Sequence, residues 1–434
     1  MAATAEVVED LEVRTHKRVR VFAEGAFVPT AEQHVELVKR NELDPEVTDL
    51  KSRTVDYFDE NVRISYVHLS CNGRVLAFAV DSTAGSFVHL FDLLAFAPEL
   101  SAQPFPLTSI RPSADGGRIT CLEWNPEAED VLAVGTADGT VTTFKFSLAA
   151  PAAFSIVGSA KLNAAPTCMS WSRKGKQLTV GDRAGRLHQL TPDIKPVRVT
   201  DAPQQIQGFA GPFVCAGVFW VATTDWLVAY RQHDDPLKLT LALLTVKKNV
   251  PPEWKFFGDV TFQRPNAPPM DTSLHFVPLM EWNLVFVYAH RSPDIVVIGQ
   301  RNGQWVNFVM ERFTATMPVD AKKADSYPLG VAVDLSSQVR VVLDRSNPES
   351  PVLPPQPAMF VLSSAGLLLS YNVCSLDPVR PQLNTQPIGF SPQDAVNGAP
   401  PAGYVPDRQR RSAELKHKRR PSPNRWELRS GEWK

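Results

Sequence analysis

The sequence predicts an all-β chain built from repeated four-stranded units, and three observations carry that reading. Helical periodicity is weak almost everywhere. Short apolar or alternating runs are broken instead by Gly, Asp, Asn or Pro, the pattern of many short strands. Stretches of the chain repeat at spacings of 46 and 47 residues. Of the 434 residues, 44% are hydrophobic, enough for a sizeable core. Four short strands in a unit of ~40–50 residues is the signature of a β-propeller blade. One four-stranded sheet cannot cover both its faces, so blades stack around an axis until the ring closes. The expectation is a seven-bladed, WD40-like β-propeller over residues 14–374, followed by a disordered tail over 375–434.

Taken in order, Val19–Phe27 reads as an opening strand and Ala31–Asn41 as a short helix. The stretch that follows Val19–Phe27, through Asp59, is polar and lacks a further strand pair, so the expectation is an incomplete first blade. Ile64–Asp81 (ISYVHLSCNGRVLAFAVD) is a strand pair, and Leu93–Leu100 a helical turn. Ile119–Phe146 (ITCLEWNPEAEDVLAVGTADGTVTTFKF) and Pro166–Leu190 (PTCMSWSRKGKQLTVGDRAGRLHQL) align closely. Cys121 and Cys168 lie 47 residues apart, as do Trp124 and Trp171; Gly135 with Gly181 and Gly139 with Gly185 lie 46 apart. Later units diverge. Phe213–Tyr230 places strands around Thr223-Thr224-Asp225, and Leu274–Ile298 around Glu281-Trp282-Asn283. Gly303–Phe308, Leu329–Val333, Val339–Leu343, Met359–Ser363 and Leu367–Val373 continue the pattern. The span from about Arg18 to Val373 holds roughly seven blades at ~50 residues each. From Ser375 onward the composition shifts to Pro, Gln and Asn, then Arg and Lys, which cannot bury enough apolar surface to offset ordering entropy.

The net charge of −1 hides an asymmetry. Residues 408–434 hold ten Lys/Arg and three Glu, a net +7; the remaining 35 basic and 43 acidic residues give −8. An acidic body is a poor surface for phosphate backbones and suits a basic protein partner. No apolar run approaches the ~20 residues of a membrane span; the longest, Gly211–Ala222, reads as a buried strand. The acidic Met1–Asp10 has no secretory signal pattern. Five cysteines without paired spacing argue for reduced thiols.

Enzyme signatures are missing: there is no G-x-S-x-G, Walker A or H-E-x-x-H. Gly175-Lys176 reads as a hairpin turn, and Gln232-His233-Asp234-Asp235 as a solvated loop rather than a metal site. Cys71, Cys121, Cys168 and Cys215 track the repeat and read as small core residues on equivalent strands. Trp124, Trp171 and Trp220 read as packing. No cofactor, metal or catalytic residue is expected. The basic run Arg408–Arg420 is either a nuclear-targeting or RNA-contacting tail, or simply a solvated one.

Several segments, in order, resemble the N-terminal β-propeller of the cytoplasmic-filament nucleoporin CAN family. PTCMSWSRKGKQLTVGDRAGRL is similar to the family's W-S-P-K-G-K-Q-L segment, and CLEWNPEAEDVLAVGTADGTV looks like its preceding blade. Met280-Glu281-Trp282-Asn283-Leu284-Val285 resembles its E-W-N/D-L-V element. Tyr327-Pro328-Leu329-Gly330-Val331-Ala332-Val333-Asp334 is similar to P-L/M-G-V-x-V-D. Leu353-Pro354-Pro355 and then Leu362-Ser363-Ser364-Ala365-Gly366 look like L-P-P…L-S-T-D-G.

The resemblance implies a non-catalytic adaptor at the cytoplasmic face of the nuclear pore complex, peripheral to the nuclear envelope. Its implied partners are a DEAD-box RNA helicase and other nucleoporins, with mRNA reached only indirectly. It also implies a contact through the connection entering the last blade, Asp344–Pro355. There Asp344 and Glu349 would pair with basic side chains, and Leu353 with Pro354 would give an apolar contact or merely anchor the loop. The family's Phe-Gly repeats are not matched, since the only Phe-Gly is Phe257-Gly258 inside the propeller. The chain therefore looks like a fragment or short isoform. Two other classes compete. A generic propeller scaffold in another cytoplasmic complex, such as translation initiation, need not share the late-blade segments. A propeller enzyme would gather polar or carboxylate side chains at the channel mouth.

Overall fold

The computed structural model describes residues 63–399 apart from short gaps at 97–99, 101–103, 114–116, 149–152, 268–271, 310–314, 320–322, 343–348, 350, 366, 377–379 and 387–390. Before residue 63 it describes the backbone of four strands, Ala5–Val7, Leu11–Thr15, Arg20–Phe22 and Leu37–Val38.

Among the described residues six antiparallel blades follow one another. Blade 1 is Arg63–Leu69, Val75–Ser82, Gly85–Asp92 and Thr108–Ile110. Blade 2 is Ile119–Trp124, Val131–Thr136, Thr140–Ser147 and Ala153–Lys161. Blade 3 is Pro166–Trp171, Leu178–Asp182, Leu187–Leu190 and Pro196–Thr200. Blade 4 is Phe213–Ala222, Asp225–Gln232, Leu239–Thr245 and Glu253–Gly258. Blade 5 is His275–Leu279, Leu284–Tyr288, Asp294–Arg301 and Gln304–Val309. Blade 6 is Pro328–Asp334, Ala358–Ser363 and Leu367–Ser375, completed from the N-terminus. The first strands of the six blades pack side by side in chain order, so they line the axis.

Blade number is a correction to the expected seven. The described strands among the residues that the repeat count assigned to a first blade do not build a sheet of their own. Leu11–Thr15 pairs with Leu367–Ser375 as the outer strand of blade 6, in the register Val13↔Val373. Arg20–Phe22 also joins that strand, with Val21 opposite Leu367. Ala5–Val7 lies parallel to Gln304–Val309 on blade 5. Part of the expected helix over Ala31–Asn41 is also corrected: Leu37–Val38 is a strand paired with Val21–Phe22, and its other residues lie outside those described. An outer strand borrowed from the far end of the chain gives a sheet edge its backbone partners without the cost of a further blade. The helical turn expected near Leu93 is a short 3₁₀ turn, Leu93–Phe96.

Five apolar cores lie between successive blades. Phe144 and Leu90 belong to the core between blades 1 and 2, Leu178 and Val141 to that between 2 and 3, and Tyr230 and Leu187 to that between 3 and 4. Leu227 and Ile298 fill the seam between blades 4 and 5, and Phe286 and Val361 that between 5 and 6. Each fully buried Leu or Phe contributes roughly 1.5–3 kcal/mol, so the seams hold the ring.

The repeated residues now have individual reasons. Trp124 donates its indole N–H to the His68 carbonyl of the blade before it at 3.3 Å, and Trp171 does the same to Glu123 at 3.3 Å. In blade 4 the Trp220 backbone N–H donates to Ser170 Oγ at 3.1 Å, and Trp226 donates to Thr179 Oγ1 at 3.0 Å. The tryptophans therefore stitch neighbouring blades as well as fill space. Gly139 and Gly185 hold equivalent turns at φ of 95° and 79°, a left-handed conformation that side chains strain. Beside Gly139, Asp138 accepts from the Thr140 backbone N–H at 3.1 Å and from Thr136 Oγ1 at 2.6 Å. Burial works against its charge, but these donors and Ser113 outweigh it and hold the carboxyl at about 2. Cys121 and Cys215 are buried and Cys168 half-buried, but Cys71 is exposed in the turn after Arg63–Leu69. Its reading as a core residue is corrected: the turn needs a short loop residue, not a strand position.

Beyond blade 6 the chain runs back over the propeller. The Trp282 indole N–H donates to the Pro381 carbonyl at 2.8 Å, and the Arg380 guanidinium sits 5.9 Å from the Trp282 ring centre. Farther on, the Val396 N–H donates to Asp92 Oδ2 at 2.8 Å, and Arg74 donates both to Asp92 (3.1 Å) and to the Asp394 carbonyl (2.6 Å). Asn397 Oδ1 accepts from the Phe105 N–H at 2.7 Å. This strap links blades 5 and 6 to blade 1 by polar contacts, whereas the seams between successive blades are built around apolar cores. The basic stretch beyond residue 407 lies outside the described residues.

Candidate docking surface

Between the first and second strands of blade 6 the chain makes a two-stranded ribbon, Arg340–Val342 paired with Val352–Pro355. Cross-strand pairs are Val341↔Leu353 and Val342↔Val352. Side chains alternate across a ribbon, and the burial follows. Val341 is buried and Leu353 half-buried, while Val342 and Val352 stand 38% and 47% exposed on the other face. Val339 is exposed at the ribbon's entry. Val342 and Val352, paired across the ribbon, put two β-branched side chains side by side on its outer face.

The ribbon's base is braced. Asn384 of the strap donates to the carbonyls of Ser337 (2.8 Å) and Gln356 (3.0 Å). The Thr385 N–H donates to the Leu335 carbonyl at 2.9 Å, and Gln338 donates to the Thr385 carbonyl at 2.9 Å. Buried Gln356 donates to the Pro354 carbonyl at 3.1 Å and accepts from the Ser375 N–H at 3.2 Å. Each satisfied group is worth about 1 kcal/mol net. The pairing thus fixes the direction in which the ribbon leaves the blade.

The four residues expected at this site fall differently. Pro354 and Glu349 are exposed at the ribbon. Leu353 faces inward, opposite Val341, so the apolar surface belongs to its neighbours. Asp344 lies outside the described residues. Val342 and Val352 were missed, although alternation around Leu353 carries the signal: if one residue of the pair turns in, the residues beside it turn out.

The axial channel is the other place where chemistry gathers. Glu123 and His68, on the first strands of blades 2 and 1, approach to 3.8 Å with 39% and 36% of their side chains open to the channel. Each keeps some contact with water, but the protein crowded around both makes desolvation the largest influence on their charge. It pushes the Glu123 carboxyl up to about 8. Desolvation, with His275 nearby, lowers His68 to about 4. Among the described residues no group of three or more His, Cys, Asp or Glu side chains could hold a metal ion. No described helix is long and apolar enough to cross a membrane.

Blades stacked through apolar seams, with a braced apolar ribbon at the rim, define the class: a WD40-like β-propeller domain. The sequence model of the NUP159/214 beta propeller matches residues 39–368, and the chain belongs to that family. Nuclear pore complex protein 14 of Caenorhabditis elegans is 31% identical over 343 residues, covering 78% of this chain and 24% of that protein. Nuclear pore complex protein Nup214 of Homo sapiens is 28% identical over 327 residues, 73% of this chain and 15% of that protein. Nucleoporin NUP159 of Chaetomium thermophilum is 23% identical over 367 residues, 76% of this chain and 23% of that protein. The chain thus spans about a quarter or less of the length of these relatives.

Proposed function

We propose that this propeller is a non-catalytic adaptor of the nuclear pore complex that docks a DEAD-box RNA helicase at the pore's cytoplasmic face in mRNA export. Family membership, and relatives named as nuclear pore complex proteins, support the place. The observation that carries the docking reading is the braced ribbon of blade 6, with Val342, Val352 and Pro354 outward and Glu349 exposed beside them. An exposed apolar pair with Glu349 beside it suits a partner that offers an apolar contact and a basic group, because the apolar contact supplies affinity and the charge supplies steering. A surface that binds RNA is basic, and the acidic body complements it. Other nucleoporins are further partners, and mRNA is reached through the helicase.

The test is a pull-down of the helicase's N-terminal RecA-like domain by the full chain. Charge reversal at Asp344 and Glu349 is expected to weaken capture, Leu353→Arg to abolish it by unseating the ribbon, and RNA with an ATP analogue to release the complex. Full capture by all three variants would remove this ribbon as the contact.

A further inference from the structure

The three repeated cysteines sit on the first strands of blades 2, 3 and 4, but only one pair is in contact. Cys168 Sγ and Cys215 Sγ lie 3.4 Å apart across the seam between blades 3 and 4. The neighbouring backbone makes room for them. A Cβ on Gly181 would lie 2.6 Å from the Cys168 sulfur and 2.5 Å from the Cys215 sulfur, so only glycine lets both sulfurs occupy the same gap. The strands are also pinned to each other: Thr167 Oγ1 donates to the Cys215 carbonyl at 2.6 Å. One blade earlier the arrangement differs. Cys121 lies over Gly135 in the same way, but the ring of Pro166 takes the place where a second thiol would stand. Cys121 is therefore an internal control.

We infer that Cys168 and Cys215 form an oxidant-driven, reversible disulfide that ties blade 3 to blade 4, with a peroxide as the oxidant. The order of events follows from access. Cys215 is wholly buried, and its hydrogen bond with Cys168 together with burial holds the thiol well above the ordinary range. Half-buried Cys168 therefore meets peroxide first. Its thiolate attacks one peroxide oxygen, the O–O bond breaks, and hydroxide leaves to become water, giving a sulfenic acid. The Cys215 sulfur then attacks the sulfenic sulfur, the S–O bond breaks, and a second water leaves with the Cys215 proton. The two sulfurs together lose two electrons, and both peroxide oxygens end as water. Little movement is needed, because the sulfurs already touch and the inter-strand hydrogen bond holds the seam.

The experiment treats the reduced, folded full chain with hydrogen peroxide, blocks remaining thiols in denaturant, and maps peptides by mass spectrometry without reduction. The expected result is a cross-linked pair of peptides carrying Cys168 and Cys215. It should revert with a thiol reductant and be accompanied by a higher thermal midpoint. Cys168→Ser should lose both the cross-link and the shift; Cys215→Ala supplies the same comparison should the serine variant not fold. Three outcomes overturn the inference: sulfinic or sulfonic acid at Cys168 with Cys215 still free in folded protein, a cross-link from Cys168 to Cys121 instead, or both thiols unreacted while exposed Cys71 is oxidised.

Discussion

Blades 2 to 4 and blades 5 and 6 share a strand plan but are held by different means. Blades 2 to 4 each come from one continuous stretch, and tryptophan or serine side chains donate or accept between neighbours at 3.0–3.3 Å. Blades 5 and 6 take outer strands from the N-terminus, and blade 6 carries an inserted ribbon braced by the strap. Exposed apolar side chains occur in both halves, among them Phe154 and Ile156 on the outer strand of blade 2 and Val197 and Val199 on that of blade 3. What sets the ribbon apart is that it is an insertion within blade 6 whose base the strap braces, and it is there that the proposed partner sits.

The sharpest way to break the comparison is to remove a stitch in the regular half. Trp171→Ala deletes a buried indole and its bond to Glu123, and urea unfolding is expected to show a loss of about 3–5 kcal/mol. A loss like that of a surface change would mean the seams do not depend on these residues. Next is the strap. Asp92 is wholly buried, pairs with Arg74 and receives the Val396 N–H. Asp92→Ala removes the carboxylate from that guanidinium, leaving it only the Asp394 carbonyl, so about 3 kcal/mol is expected to go. Limited proteolysis should then cut within 376–398, and unchanged protection there would contradict the strap's role. A smaller effect comes from the channel. The folded state keeps a proton on Glu123 up to about 8, whereas the unfolded chain releases it around its ordinary 4.5. The folded form therefore binds more protons between these values, and stability falls as pH rises from about 4.5 to about 8. Glu123→Gln should gain on the parent across that window, moderated by the water its exposed third meets. A pH-independent difference would contradict burial as the cause.

What was legible in the sequence follows the same division. The Cys, Trp and Gly positions of blades 2 and 3 recur because each blade needs the same sulfur, indole and turn at the same place, so the repeat exposed them directly. The pairing Val13↔Val373 left no local mark, because a three- to five-residue strand reads the same whether it starts a blade or finishes one. That is why seven blades were expected where six stand. The strap was unreadable for a related reason: Asn384 and Thr385 act through backbone carbonyls of blade 6, and any polar segment can do so. At the ribbon, the segment was found but its facing was not, since motif matching carries no account of which of Val352 and Leu353 turns inward.

The smallest stability effect is expected at the ribbon itself. Val342→Ser with Val352→Ser replaces exposed side chains and should change unfolding free energy by no more than about 0.5 kcal/mol. That separates docking from folding. The decisive measurement is calorimetric titration of the helicase's N-terminal RecA-like domain into the parent chain, the ribbon double variant, and Ile156→Ser, which alters a more exposed apolar residue on blade 2. The account predicts roughly tenfold weaker binding for the ribbon variant and parental binding for Ile156→Ser. Parental affinity in the ribbon variant, or equal losses in both, would contradict it.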